Sequence, residues 1–366
     1  MEIALHAKLA GYEVSVATFI DSRDDEEKIL GEGLNLYHID IGRGGSGFFY
    51  DLRSCVQLFQ LYGQIKPDII HHVAMKPLIF GGIIARLRGC KGVVQAVPGL
   101  GYSFVSKGAV ASVKRVLILM ALRLACGGQY TKVIVQNAEN KSLLLEERVI
   151  RADQVILIRG SGVDVSLVEC QPEQKSKPRV VLAARMLREK GIAEFVSAAR
   201  LLREEGLEVE FFLAGQPDLS NPGSLSLEEL ESWHESGVVQ YLGFVEDIEA
   251  LFAACHIVCL PTYYGEGVPK VLIEAAACER PVVTTDQPGC RDIVRAGVNG
   301  ELVPPKDVKG LTDALRMLIL DPDKRKEYGV AGRRLVSSEF DLSIVIEQTL
   351  AVYSEFLTSE NSTRFG

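Results

Sequence analysis

Short apolar runs rich in Val, Ile and aromatic residues alternate along this chain with longer stretches whose apolar positions return every three or four residues. The runs YEVSVATFI, LNLYHID, PDIIHHVA, GVVQAVPG, TKVIVQN and QVILIRG fill the first half, and RVVLAARM, EVEFFLAGQ, VVQYLGF, HIVCLPTYY, PVVTTDQPG and GELVPP the second. Runs of this length and composition predict strands, and the stretches between them predict helices. Strands joined by helices run parallel and are covered on both faces, so the pattern predicts an α/β protein of two doubly wound domains. The series restarts after the polar, proline-bearing QPEQKSKPR (171–179), which puts the first domain at 1–170 and the second at 171–340. After GELVPPKD the pattern is helical to the end, and the final helix, 341–366, is expected to cross back onto the first domain. Sheets of this kind bind ligands outside the carboxyl ends of their strands. Function is therefore expected on the loops that follow strands, in a cleft where the two domains face one another.

The opening departs from this scheme. Residues 2–10 already carry helical periodicity and Gly11 ends them, whereas a doubly wound domain should open on a strand. The expectation is a first domain without its first, central strand and the glycine-rich turn after it, either because the true start lies upstream or because this copy is truncated.

With 366 residues, 47% of them apolar and 24% charged, the chain is long enough for two cores. Its net charge of −8 supplies no global field for nucleic acid phosphates, so no nucleic acid partner is expected. The eight cysteines are scattered, mostly inside apolar runs, and read as reduced thiols in a cytoplasm. Cys255 and Cys259 flank His256 in AACHIVCLP, where an apolar strand entering a proline turn accounts for them better than a metal does. Glu2, His6, Lys8 and Glu13 interrupt the opening where an export signal would be unbroken and apolar. VKRVLILMALRLAC (113–126) is the most membrane-like segment, but Arg123 interrupts it and it falls short of the ~20 residues needed to span. It reads either as a helix that lies on a bilayer or as a buried helix with a solvated basic face.

The strongest chemical signal is PTYYGEGVPKVLIEAAACERPVVTTDQPGCRDIV (261–294), a strand, a glycine-bracketed turn and a helix with Pro269 at its first position. The amides of Gly267 and Val268, the positive helix end and Lys270 favour a diphosphate or an oxygen-rich sugar. Glu266 and Glu274 suit polyol hydroxyls, since one carboxylate accepts from two adjacent hydroxyls. The plainer reading makes Glu266 a turn residue and Glu274 a solvated helix position, against which stand the apolar neighbours of Glu274. In ARMLREKGIAEF, Arg185 and Lys190 lie between a strand ending at Ala184 and a helix starting near Ile192, an arrangement that can clamp phosphate. Gly243 and Phe244 follow another strand of the same domain and are candidates for contact with a base through the backbone. In the first domain, His71 and His72 end a strand, and alternation lets only one of them face a given side. His72 is the candidate there, with Lys76, and Gly99 and Gly101 allow close backbone approach. No metal is expected, because Asp321-Pro322-Asp323 reads as helix capping.

With these residues in view, the chain resembles the retaining glycosyltransferases of family 4, of GT-B fold. The resemblance runs over nearly the whole length and rests on the Glu266-x7-Glu274 element, Arg185-x4-Lys190, FLAGQP, VVQYLGFVED and GCRDIVRAGVNGELVPPKD. It implies that Glu266 and Glu274 hold donor sugar and ribose, that Arg185 and Lys190 hold the diphosphate, and that Gly267, Val268, Pro269, Lys270, Gly243 and Phe244 complete the donor site. VAMKPLIFGGIIARL, VPGLGYSF and YYGEGVPKVLIEAAAC are similar to bacterial enzymes that act on undecaprenyl-diphosphate-linked saccharides, such as the alpha-1,3-N-acetylgalactosaminyltransferase type. This implies a UDP-sugar co-substrate and no further cofactor. It also implies an acceptor bound in the first domain around His72, Lys76, Gly99 and Gly101. It further implies a cytoplasmic enzyme peripheral on the inner face of the cell membrane, where Arg86, Lys107, Lys114, Arg115 and Arg123 meet anionic lipid. Where related enzymes place a histidine, this chain has VPGLGY, and the strand absent from its start would line the acceptor side. Two rival expectations follow, a truncated and inactive nucleotide-sugar-binding protein and a nucleotide-sugar epimerase.

Overall fold

The computed structural model describes residues 1–20, 22–41, 47–99, 109–263, 265 and 267–364, with the side chains of 48, 109–111 and 359–364 left aside. In chain order the elements are α1 (Glu2–Leu9), β1 (Ser15–Thr18), α2 (Arg23–Gly31), β2 (Asn35–His38), α3 (Phe48–Ile65), β3 (Ile70–Val73), α4 (Met75–Leu87) and β4 (Val93–Val97). α5 (Ala109–Cys126), β5 (Thr131–Val135), α6 (Ala138–Glu146), β6 (Val155–Leu157), β7 (Arg179–Ala183), α7 (Ile192–Glu204), β8 (Glu210–Ala214) and α8 (Leu227–Glu235) follow. The remainder is β9 (Gln240–Gly243), α9 (Ile248–Ala253), β10 (Ile257–Leu260), α10 (Lys270–Ala277), β11 (Val282–Thr285), α11 (Cys290–Ile293), β12 (Gly300–Val303), α12 (Val308–Leu320), α13 (Pro322–Glu339) and α14 (Leu342–Arg364). Each of the twelve apolar runs holds one strand, and every strand pairing is parallel.

The chain divides into two compact units, with boundaries at Ile158/Arg159 and Leu342/Ser343. The final helix does return to the first unit, where Val345, Val352 and Tyr353 pack with Ala7 of α1 on Val94 and Ile134. The first boundary lies twelve residues before the expected 170/171, because the proline-bearing stretch is not a free linker. Buried Arg280 donates to the carbonyls of Gln171 at 2.7 Å and Ala253 at 2.9 Å. His256 accepts from the Arg179 amide through Nδ1, so its Nε2 carries the proton and donates to the Gln174 carbonyl at 3.0 Å. Arg325, also buried, holds Glu173 through Nε and Nη2 at 2.8 and 2.5 Å and the last carbonyls of α12 through Nη1. The run around His256 is thus core, as its sequence suggested, and Cys255 and Cys259 are buried thiols.

The second unit is one six-stranded sheet in the order β12-β11-β10-β7-β8-β9. Alternation along β7 sends Val180 and Leu182 to a core shared with Phe195 and Leu202 of α7 and Leu311 and Leu315 of α12. Val181 and Ala183 go to the other face, under Leu272 and Ile273 of α10 and Val336 of α13. The DPD sequence is capping chemistry, with Asp321 accepting from the Lys324 amide and Pro322 opening α13.

In the first unit the strands fall into two sheets, β1-β2 and β3-β4-β5-β6. Among the described residues β1 pairs with β2 alone and β3 with β4 alone, and no strand bridges the two sheets as the expected central strand would. Right-handed crossovers between successive parallel strands put α4 and α5 on one face of the four-stranded sheet. α1 and α14 cover the other. His72 faces the α3–α4 side and His71 the α14 side. The Gln95 side chain donates to the Ala125 carbonyl, so its oxygen faces His72 Nδ1, which donates at 3.0 Å, and His72 Nε2 accepts from the Tyr62 hydroxyl at 2.7 Å. His71 Nδ1 meets the Tyr353 hydroxyl at 2.6 Å.

Two predictions concern stability. Arg325→Met should cost about 2–3 kcal/mol in urea unfolding, since it strips partners from Glu173 and from two α12 carbonyls. Burial lowers the pKa of both His71 and His72 to about 4, against about 6.5 in an unfolded chain. Between these values the unfolded chain binds more protons, so stability should be full above about pH 6.5 and fall as the pH drops toward 4. Urea midpoints measured down that range should show the slope, and His72→Gln should flatten it.

Candidate functional site

Because every strand of the second unit is parallel, the chain leaves all of them at one edge. There the loop after β7 turns toward α7 and β8, and the loop after β10 turns toward α10 and β11. β7 and β10 are neighbours, so their loops diverge from a crevice at the topological switch point of the sheet. The first loop carries Arg185 and Lys190, and the second carries Gly267, Val268, Pro269 and Lys270. The structure thus brings the two sequence constellations to facing loops.

Backbone contacts lock the crevice walls. The Glu189 carbonyl accepts from the Tyr263 amide at 2.9 Å and the Thr262 hydroxyl at 3.1 Å, tying the Lys190 turn to the chain leaving β10. Thr285 of β11 donates to the Thr262 carbonyl, and Thr284 to that of Leu260 at 2.6 Å. Gly191, at φ 76°, lets the start of α7 press on Pro261, where a Cβ would stand 2.1 Å from the carbonyl oxygen. Gly289, at φ 77°, does the same for the loop after β11, where a Cβ would lie 1.5 Å from the Gly267 carbonyl oxygen.

The charged groups are arranged around this frame. Lys190 is half-buried at the end of a 3₁₀ turn, Arg188–Lys190, and α7 begins at Ile192 as the sequence indicated. Arg185 is exposed and its Nη1 meets Asp218 Oδ2, on the loop after β8, at 2.8 Å. Hydrogen bonds from Ser220 and the pairing with Arg185 hold the Asp218 carboxyl below its usual range. The guanidinium has five N–H donors, so this contact leaves donors for an anion. α10 opens at the carboxyl edge with Pro269 as its N-cap, at φ −63° and ψ 118°, rather than as its first helical residue. The extended ψ turns the chain into the helix one residue later than the proline rule suggested. Lys270 Nζ lies 3.0 Å from Glu274 Oε1, one turn on, and the Glu274 side chain is only 14% exposed. Its carboxylate is therefore held beside an ammonium, one turn inside α10.

Gly243 ends β9 and exposed Phe244 follows it, two strands from β7 and so about 10 Å along the edge, within the span of a nucleotide. Glu266 and Gly101 lie outside the described residues. In the first unit, His72 is buried with both ring nitrogens bonded, which makes it a core group and gives it no open atom for a ligand. Lys76, at the start of α4, pairs with Asp51 at 3.2 Å, and Gly99 is half-buried beyond the end of β4. Asp218, Thr262, Tyr263 and Lys306, whose ammonium lies 4.3 Å from the Tyr263 ring centroid, line the same edge and were missed in the sequence. Their only signal there was a position just after a strand. A hollow of about 530 Å³ between the turn at Gly297–Val298 and α13 lies at the amino end of β12, on the opposite edge. Its lining balances Asp323 and Glu327 against Lys326 and Arg334 and gathers none of these loops.

Comparison with known proteins shows the family and the fold. Residues 1–137 match the family model "Glycosyl transferase 4-like" and residues 177–321 match "Glycosyl transferases group 1". The chain is 26% identical over 346 residues, 90% of its length and 88% of the relative's, to the N,N'-diacetylbacillosaminyl-diphospho-undecaprenol alpha-1,3-N-acetylgalactosaminyltransferase of Campylobacter jejuni. It is 24% identical over 321 residues, 84% of its length and 82% of the relative's, to the capsular polysaccharide biosynthesis glycosyltransferase CapM of Staphylococcus aureus. The crystal structure of Anabaena Alr3699/HepE in complex with UDP-glucose superposes with a TM-score of 0.75 at 19% identity, covering 97% of this chain and 94% of that one. The chain belongs to the glycosyltransferases, as a GT-B protein with a glycosyl transferase 4-like N-terminal domain and a glycosyl transferases group 1 C-terminal domain.

Proposed function

We propose that this glycosyltransferase moves a hexose or N-acetylhexosamine from a UDP-sugar to a lipid-diphosphate-linked saccharide, with retention, at the inner face of a bacterial membrane. Its products would serve surface polysaccharide or glycan assembly, such as O-antigen or capsule. The observation that carries the reading is the meeting of two loops at the β7/β10 switch point, which sets Arg185 and Lys190 opposite the mouth of α10. The names of the two relatives, one acting on a diphospho-undecaprenol saccharide and one in capsule synthesis, support the acceptor class.

In this reading Lys190, Arg185, Lys270 and the first-turn amides of α10 surround the diphosphate. They stabilise the negative charge that develops as the bond from the sugar C1 to the phosphate oxygen breaks, the largest electrostatic demand of the reaction. The acceptor hydroxyl forms its bond to C1 on the same face, and its proton passes to the departing phosphate oxygen. Glu274 accepts from donor hydroxyls, and Glu266, eight residues earlier in the sequence, is the second acid of the element. Fixed positive groups supply the charge that a divalent cation would otherwise provide.

One observation favours a second reading, a protein that binds nucleotide sugar without turning it over. The β1–β2 pair stands apart from β3–β6, and no strand residue of β1 or β2 is buried. A UDP-induced rise in thermal midpoint without any product would select this reading.

The test is a panel of UDP-sugars offered with an undecaprenyl-diphosphate-saccharide in detergent, with the lipid product weighed by mass spectrometry. Lys190→Ala should lower kcat/KM on the order of 10²-fold, and Glu274→Gln should raise the donor KM roughly tenfold. Both should keep the wild-type circular dichroism, and unchanged kinetics in both would remove these residues from the site. Turnover should also survive EDTA, and loss restored by magnesium or manganese would show that the cationic loops do not suffice.

A further inference from the structure

The loop after β12 holds a backbone that its sequence does not favour. Pro304, Pro305, Lys306 and Asp307 form a turn closed by the Asp307 amide on the Pro304 carbonyl at 3.2 Å. Proline at the second position fixes a negative φ there, and Lys306 at the third has φ 64°. These are the signs of a type II turn, whose third position suits glycine or asparagine. A lysine side chain is strained at that position. Among the described residues, five non-glycine positions have positive φ. Lys66, Arg148 and Glu279 stand at the ends of helices, where left-handed closure is common. Ala74 precedes α4 in the first unit, and Lys306 alone stands in a loop at the carboxyl edge of the second.

What lysine brings to a glycine position is its side chain. Lys306 is exposed, and among the described residues no carboxylate pairs with it. Its ammonium lies 4.3 Å from the centroid of the Tyr263 ring, well inside the range of a cation–π contact. β12 is two strands from β10, so the turn reaches about 10 Å along the edge, past the loop after β11, to make this contact. Tyr263 is half-buried, and its amide donates to the carbonyl of Glu189, the residue before Lys190, at 2.9 Å. Four residues on, the Gly267 carbonyl is pressed against Gly289. The ring thus lies on a segment held at both ends by backbone contacts, one to the Lys190 turn and one to the loop after β11. Fixing the ring fixes how far the Lys190 turn stands from the mouth of α10.

We propose that Lys306 is a positioning residue of the crevice, which from its strained turn pins the Tyr263 ring and so sets the gap that receives the donor's diphosphate. The ammonium acts through the ring and touches no ligand. The proposal rests on the reading of this crevice as the nucleotide-sugar site. It also accounts for the strain, since a residue held in a sparsely populated conformation beside a binding site is kept where its side chain is used. Glycine at this position would relax the turn and lose the clasp. Stability and ligand affinity should therefore part at this one position, whereas a lysine that is only a tolerated surface residue would show no such split.

The test is calorimetric titration of UDP into the full chain and its variants, beside thermal unfolding without ligand. Lys306→Gly should have a thermal midpoint no lower than that of the native chain, yet bind UDP roughly threefold more weakly. Lys306→Met keeps the stem and the strain without the charge, and should show the same weakening. Lys306→Arg returns a cation to the ring and should restore native affinity. Tyr263→Leu should weaken binding at least as much, and adding Lys306→Met to it should weaken binding no further, since both remove one contact. Further weakening in that pair would put the ammonium on the ligand itself and overturn the positioning role. UDP affinity untouched by Lys306→Gly and Lys306→Met would overturn the proposal outright while leaving the donor site in place. A native chain that binds no UDP would instead sink the donor-site reading, and this role with it.

Discussion

Everything at the candidate site depends on parallel pairing in the second unit. A parallel ladder aligns the carboxyl ends of all six strands at one edge, and the order β12-β11-β10-β7-β8-β9 makes the first and fourth strands of the unit neighbours. The loops after β7 and β10 must then part in opposite directions, and the opening between them is the one place on this edge that no crossover covers. Two segments more than seventy residues apart in sequence, Arg185–Lys190 and Gly267–Glu274, become the two walls of one crevice. Threonine hydroxyls on β11 and just after β10 and two glycine contacts then hold these walls closer than side chains would otherwise permit.

Buried cations do a different task on the far side of the same unit. Buried Arg280 and Arg325 and half-buried Arg333 spend their donors on backbone carbonyls, and only Arg325 among them also holds a carboxylate. A guanidinium with several carbonyl partners keeps its charge solvated by dipoles, so burial is tolerated without a full ion pair. The outcome is that residues 165–174 are strapped to the second unit. Positive charge in this unit therefore meets carbonyls on the inside, whereas at the crevice Arg185 and Lys270 meet the carboxylates of Asp218 and Glu274.

In the first unit the same α/β logic is only partly realised. The four-stranded sheet is covered on both faces, and its alternation sends His71 and His72 to opposite sides, each with a hydroxyl partner. β1 and β2 form a separate pair with exposed or half-exposed residues. The helices α3 and α5 satisfy the core with one side and leave the other apolar, an arrangement that costs solubility unless a second surface covers it.

The sequence by itself determined the strands. Each of the twelve apolar runs holds a strand, because apolar, β-branched and aromatic residues bounded by polar turns favour extended backbone, even where no strand residue is buried, as in β1 and β2. It also determined the residue types of the loops after β7 and β10 and the start of α7 at Ile192, since glycine, proline and charge after a strand are local signals. Periodicity likewise marked the helix Glu2–Leu9. What only the tertiary structure decided was partnership. Whether a histidine is a ligand or a core group depends on what stands opposite it, and Tyr62 and Gln95, ten and twenty-three residues from His72, supply that. Whether a polar, proline-bearing stretch is a linker depends on Arg280 and Arg325, more than a hundred residues downstream. Likewise Asp218 beside Arg185 and the outward stripe of α3 are products of packing. Local composition sets which conformation a segment prefers, and long-range contact alone sets which of its polar and apolar groups remain open.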